Sequence, residues 1–316
     1  MSVTRPATAA LSPLHHVVAA QQFDRERLGQ LFQLTAEMER FRDGGGGQLL
    51  PGRIMATLFY EPSTRTRLSF ESAMLRLGGQ VVGTENARDF SSAVKGETLE
   101  DTVRIVAGYS DCIVLRHFEE GAAARAAAVS TVPVINAGDG PGQHPTQALL
   151  DLYTIQSEIG RLDGLHVVMV GDLAHGRTVH SLAYLLALYH DLRVTLVAPE
   201  QIRMSAGVVE HLLKHGAQLR ESEDLLEAVR DADVVYQTRI QLERFDEPWD
   251  ESEDQRRLFR INEEVMAALP QSAIVMHPLP RVGEIDPAVD QDPRAAYFRQ
   301  AQNGLVVRMA LLRTLL

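Results

Sequence analysis

Residues 54–79 read IMATLFYEPSTRTRLSFESAMLRLGG. The run Ile54–Tyr60 is apolar and predicts a strand buried on both faces. Beyond Pro62, the residues Leu68, Ala73, Met74 and Leu77 recur at helical spacing, and Gly78-Gly79 supplies the stop. A buried strand feeding a helix is the building unit of a parallel sheet. The same alternation extends in both directions. Further strands are predicted at Val81–Thr84, Cys112–Arg116 and Val132–Asn136, then at His166–Gly171, Arg193–Ala198, Ala217–Arg220, Asp233–Gln237 and Ala273–His277. Helical patterns fall between most of them. The reading is an α/β chain of two doubly wound domains, each with a mainly parallel central sheet flanked by helices.

At roughly 150 residues per domain, 316 residues predict two domains. The division is placed at 1–150 and 151–316, inside or just after a helix running from about Pro145 to Ile159. A last helical pattern, about 293–316, is expected to pack back on the first domain, with a break at Asn303-Gly304. The apolar fraction of 45% and charged fraction of 23% are those of a globular protein. Apolar stretches fall well short of the ~18–20 residues that span a bilayer. The opening residues lack a charged-then-apolar leader layout, so a cytoplasmic protein is expected. A lone cysteine, Cys112, excludes an internal disulfide and a cysteine-cluster metal site. Neither metal nor cofactor is expected. A net charge of −11 argues against a nucleic-acid partner, which would need a basic face. Of 31 basic side chains only Lys95 and Lys214 are lysines, which makes Lys95, in the polar run FSSAVKGE (90–97), conspicuous.

Chemistry concentrates where strands give way to helices. Ser63, Thr64, Arg65 and Thr66 open the helix after the first strand, where unpaired N–H groups, hydroxyls and a guanidinium suit an anion such as phosphate. His144 and Gln147 open another helix after a Gly/Pro-rich turn and project from one face. There His144 could donate to a carbonyl oxygen and Gln147 could bind an amide-like group, although in this segment read alone a capping histidine and a surface glutamine are the commoner pair. Arg116, Arg177, Arg239 and Arg281 stand near strand ends or in the loops beyond, the edge at which open α/β sheets bind ligands. Together with Arg65 they predict a cationic pocket on an acidic protein. In MHPLPR (276–281) two prolines leave backbone carbonyls available as acceptors for an –NH₂ group. The spacing from Gly171 to Gly176 is not a dinucleotide fingerprint.

These segments, STRTRLSFESAMLRLGG, SSAVKGETLEDT, INAGDGPGQHPTQALLDLYTI, VGDLAHGRTVHSL, TRIQLERF and HPLPRVGEI, occur in an order that resembles the aspartate carbamoyltransferase catalytic chain. The resemblance spans about Phe23 to Leu315. STRTR indicates the wider carbamoyltransferase family, whereas HPTQ, TRIQ-ERF and HPLPR point to aspartate rather than ornithine, whose enzymes carry a cysteine where Pro278 stands.

The resemblance implies a carbamoyl phosphate domain, an aspartate domain and a site between them. It implies transfer of the carbamoyl group to the α-amine of L-aspartate, giving N-carbamoyl-L-aspartate and phosphate, a reaction of de novo pyrimidine biosynthesis. By motif position, Ser63, Thr64, Arg65 and Thr66 would hold phosphate, and Thr66, Arg116 and His144 the carbonyl oxygen. Gln147 and the carbonyls of Pro278 and Leu279 would hold the –NH₂. Arg177, Arg239 and Gln241 would take the aspartate carboxylates. Ser91 and Lys95 would reach in from the neighbouring subunit of a homotrimer. A regulatory chain or a dihydroorotase is a further partner that relatives of this kind can have. Phe118, where many relatives have proline, and Leu242, in place of a common lysine, depart from the pattern. Another amine acceptor, or a catalytically silent scaffold, remains compatible with the residues.

Overall fold

The computed structural model describes residues 14–87, 92–239 and 259–316. Among these, nine strands form two wholly parallel sheets. The first contains β1 (Ile54–Phe59), β2 (Gln80–Glu85), β3 (Cys112–His117) and β4 (Val134–Asp139), in the order β2-β1-β3-β4. The second contains β5 (His166–Val170), β6 (Arg193–Val197), β7 (Gln218–Ser222), β8 (Val234–Gln237) and β9 (Ile274–Met276), in the order β7-β6-β5-β8-β9. All nine predicted strands are present. Their ends shift by one to three residues, as at β4, where the ladder carries the strand on to Asp139 opposite His117.

Helices cover both faces of each sheet. They are α1 (Arg25–Asp43), α2 (Thr64–Arg76), α3 (Leu99–Ala107), α4 (Ala122–Val129), α5 (Pro145–Ile159), α6 (Arg177–Leu186), α7 (Ala206–Lys214), α8 (Leu225–Ala228), α9 (Glu263–Ala268) and α10 (Tyr297–Leu315). Strand alternation sorts the core. Met55, Phe59, Cys112 and Val114 face α1, α2 and α5, while Ala56, Leu58, Ile113 and Leu115 face α3 and α4. In the second sheet Val167 and Met169 face α6 and α7, while Val168 and Val170 face α8 and α9. One continuous apolar cluster runs along α5, α6 and α10 and joins the two sheets.

The last helix departs from expectation. It begins at Tyr297 rather than near 293, because Ala295 bridges to Val275 and holds the preceding residues extended. It also continues unbroken through Asn303-Gly304. Gly304 is there for close approach: a β-carbon on it would stand 3.1 Å from Leu150 of α5 and 2.4 Å from Arg308. Asn303 donates to the Thr154 hydroxyl at 3.0 Å. Tertiary contact keeps helical a dipeptide that would otherwise favour a turn. Packed against α1, α2 and α5, α10 is a strut along the first sheet's helical layer.

In each sheet the connections leave in opposite directions from two neighbouring strands, β1 and β3 in the first, β5 and β8 in the second. Such switch points open a crevice at the carboxyl ends of the strands. Ser63–Thr66 follow β1, Arg116 lies near the end of β3, Arg177 follows β5 and Arg239 follows β8, while His144 and Gln147 follow β4 and Pro278 and Leu279 follow β9, each the strand beside a switch point.

Candidate active site

Three helices begin at this edge. α2 starts after Ser63, α5 after His144 and α6 after Gly176, and none has a side chain capping its first N–H groups. By contrast, Asp24 caps α1 and Thr98 caps α3. Open helix starts carry unpaired donors and the positive end of the helix dipole. Ser63 is half-buried, Thr64 and Arg65 are exposed in the first turn of α2, and Thr66 points inward and is buried.

Arg116 and Arg177 converge from the two domains. Arg116, near the end of β3, donates from Nη1 to the carbonyl of Ala137 at 3.2 Å. Buried Arg177, the first residue of α6, donates from Nη1 to the carbonyl of Gly140 at 2.5 Å. Both meet Glu61, whose Oε2 lies 3.4 Å from Arg116 Nη2 and 3.8 Å from Arg177 Nη1. Glu61 was missed in the sequence, although it stands two residues before Ser63. It is a local anion between two guanidinium groups, where a substrate anion would compete.

His144 is only 4% exposed. Its backbone N–H donates to the Ser181 hydroxyl of α6 at 3.0 Å, a second tie between the domains. Its Nδ1 is buried without a hydrogen-bond partner among the described residues. Burial first, then the charges of Arg177, Arg116 and Arg308, hold the imidazole well below its ordinary pKa and therefore neutral. Gln147 is buried, not a surface residue, and its amide donates to Asp151 at 2.8 Å.

The HPLP turn closes the crevice after β9. His277 Nδ1 accepts the backbone N–H of Leu279 at 2.8 Å, and its Nε2 lies 2.7 Å from Glu284. Burial opposes charge on both partners, but the hydrogen bond that His277 Nε2 donates still holds Glu284 below its ordinary value. Leu279 has φ +45° and precedes a cis proline. No described residue donates to the carbonyls of Pro278 or Leu279.

Arg239 follows β8, half-buried, at the edge of the described residues. Ser91, Gln241 and Leu242 lie outside the described residues. Lys95 is exposed on the short 3₁₀ turn Ser92–Lys95 and makes no ion pair to any described residue. Arg281 is withdrawn from the cationic cluster by a bidentate ion pair with Asp290 and a hydrogen bond to Tyr297. Among the described residues no group of histidine, cysteine, aspartate or glutamate has the makings of a metal site. No described helix is long and apolar enough to cross a membrane.

A crevice between two parallel-sheet domains, lined by guanidinium groups and uncapped helix starts, defines a two-domain α/β protein built to hold small anions. Residues 15–157 match the family described as aspartate/ornithine carbamoyltransferase, carbamoyl-P binding domain, and residues 163–315 match its Asp/Orn binding domain. The chain belongs to the aspartate/ornithine carbamoyltransferase family. It is 61% identical to the chloroplastic aspartate carbamoyltransferase 1 of Pisum sativum, over 96% of this chain and 79% of that protein. It is 50% identical to the aspartate carbamoyltransferase catalytic subunit of Methanopyrus kandleri, over 95% of this chain and 96% of that one. Among solved structures it resembles aspartate transcarbamoylase from Trypanosoma cruzi in complex with N-(phosphonacetyl)-L-aspartic acid, with a TM-score of 0.91 and 43% identity over 96% of each chain. The catalytic subunit of the M. jannaschii enzyme gives a TM-score of 0.89 and 47% identity over 96% of this chain and 98% of that one.

Proposed function

We propose that this chain is an aspartate carbamoyltransferase. The neutral α-amine of L-aspartate attacks the carbonyl carbon of carbamoyl phosphate, forming the C–N bond and a tetrahedral oxyanion. The C–O bond to phosphate then breaks, and the departing phosphate takes the amine proton. The observation that carries this reading is His144, a buried neutral imidazole set among Arg116, Arg177 and Arg308 at the junction of the domains. A neutral ring donates an N–H to a developing oxyanion without itself having to be charged first, and preorganised donors are the main catalytic device for such a step.

In this reading Ser63, Thr64, Arg65 and the start of α2 hold the phosphate, and Thr66 and Arg116 share the carbonyl oxygen with His144. Gln147 and the open carbonyls of Pro278 and Leu279 accept from the –NH₂. Arg177, Arg239 and Gln241 take the two carboxylates of aspartate. Residues 1–150 form the carbamoyl phosphate half and 151–316 the aspartate half. The family includes ornithine enzymes, so acceptor choice needs its own test. With carbamoyl phosphate present, L-aspartate is expected to yield ureido product and L-ornithine none; product from ornithine alone would overturn the assignment.

The exposed Lys95, which makes no ion pair to any described residue, supports a homotrimer in which Ser91 and Lys95 complete the neighbour's site. Mixing Lys95→Ala and Arg65→Ala proteins after subunit exchange is expected to restore part of the activity through hybrid sites. No recovery would reject the shared site. We place the enzyme in the cytoplasm, and a regulatory chain or dihydroorotase would be sought by purifying it from its own cells.

A further inference from the structure

Gln147 is held from behind. Its Nε2 donates to Oδ1 of Asp151, one turn further along α5, at 2.8 Å. The same Oδ1 accepts from Gln300 Nε2 of α10 at 2.6 Å, and Oδ2 accepts the Tyr236 hydroxyl of β8 at 2.6 Å. Asp151 is completely buried. Gln300 in turn accepts the backbone N–H of His277 at 2.8 Å, just before Pro278. One carboxylate therefore ties together the helix of Gln147, the strand leading to Arg239 and the HPLP turn. An ionised carboxylate only accepts hydrogen bonds. Gln147 must then meet it through its –NH₂, and Oε1, which makes no hydrogen bond to a described residue, is left for the crevice.

We infer that Asp151 is a positioning residue, which by accepting from Gln147 presents the amide oxygen of that side chain to the –NH₂ of a bound carbamoyl group. The inference rests on the carbamoyl transfer proposed above. A protonated Asp151 would carry an O–H that donates to the Gln147 oxygen instead. The amide would turn over and face substrate N–H with N–H.

Burial raises the Asp151 carboxyl to about 7, against the lowering effect of its hydrogen bonds from Tyr236, Gln300 and Gln147 and of the Arg308 charge. The titratable groups facing it are Tyr236 from β8 and Arg308 from α10. Burial and Asp151 itself push the tyrosine well above its usual value, and burial brings Arg308 only down to about 10. Of these three groups, Asp151 alone changes state near neutrality.

The test follows kcat and both KM values from about pH 6 to 9 in wild type, Asp151→Asn and Asp151→Ala. In wild type, KM for carbamoyl phosphate is expected to rise as pH falls through the range in which Asp151 takes up its proton. Asp151→Asn can keep its carbonyl oxygen toward the two glutamines and its amide toward Tyr236, and it has no proton to gain. That rise should vanish in it. Asp151→Ala should raise KM for carbamoyl phosphate at least tenfold, with a smaller change for aspartate. A pH profile of Asp151→Asn that superimposes on wild type would overturn the inference, as would a folded Asp151→Ala protein with unchanged KM. If the alanine variant does not fold, the asparagine profile decides. Wild type that makes no carbamoyl aspartate would instead reject the carbamoyl transfer reading, and this inference with it.

Discussion

Arg177 donates to the carbonyl oxygen of Gly140 at 2.5 Å, reaching from the start of a helix in one domain to a loop in the other. This clamp passes over Gly138, where an added β-carbon would lie 3.1 Å from the Arg177 guanidinium carbon and 3.2 Å from Arg116 Nη1. Gly138 also has φ +114°, a conformation that other residues adopt at a cost of about 1–3 kcal/mol.

Gly138→Ala therefore joins a strained backbone to a steric push on two guanidinium groups. Carbamoyl transfer is expected to fall more than tenfold, with a loss of stability of about 1–3 kcal/mol. Steady-state kinetics and denaturant unfolding read the two effects separately. Wild-type activity in this variant would mean that the guanidinium pair does not need its present spacing.

His144→Ala removes the buried neutral donor. Turnover is expected to drop about 10²–10³-fold, the usual result of losing one oxyanion donor, while KM for carbamoyl phosphate changes far less. An unchanged kcat would remove His144 from the mechanism.

The same histidine links stability to pH. Burial and three arginines depress its folded pKa below the ordinary 6.5, so the unfolded chain takes up a proton first on acidification. Its neutral form contributes stability that is full above about 6.5 and declines as pH falls below it. Wild type should therefore lose melting temperature relative to His144→Gln between about pH 7 and 5. A constant difference between the two proteins across that range would contradict the depressed pKa.

Cys112 is fully buried in β3, and burial pushes its thiol up to about 12. A thiol in that state is a poor nucleophile. Native protein is expected to resist a thiol-specific reagent that labels the denatured chain at one site per molecule. Fast labelling of the native protein would show that β3 opens readily.

Strand and helix starts were legible because they are written locally. HVVMV is apolar on both faces, which announced a covered strand, and the STRTR and HPTQ helix starts carried both boundary signals and the chemistry of the site. Single residues whose roles depend on distant partners were not legible. Arg281 looked like another crevice arginine, and only Asp290, nine residues on, shows it to be engaged elsewhere. Gln147 alone resembled a surface glutamine. Asp151 and Arg308 sat unnoticed within helical patterns, although both are buried against the site.

Local pattern by itself determined the alternation of elements, the nine strands and the strand ends that would bear the chemistry, because burial period and helix-start residues act over a few positions. Tertiary structure alone decided strand order, the unbroken last helix at Gly304, the meeting of Arg116 with Arg177 and the orientation of Gln147. These depend on contacts between residues tens to more than a hundred positions apart, such as Asp151 with Gln300, and no local preference encodes which partner arrives.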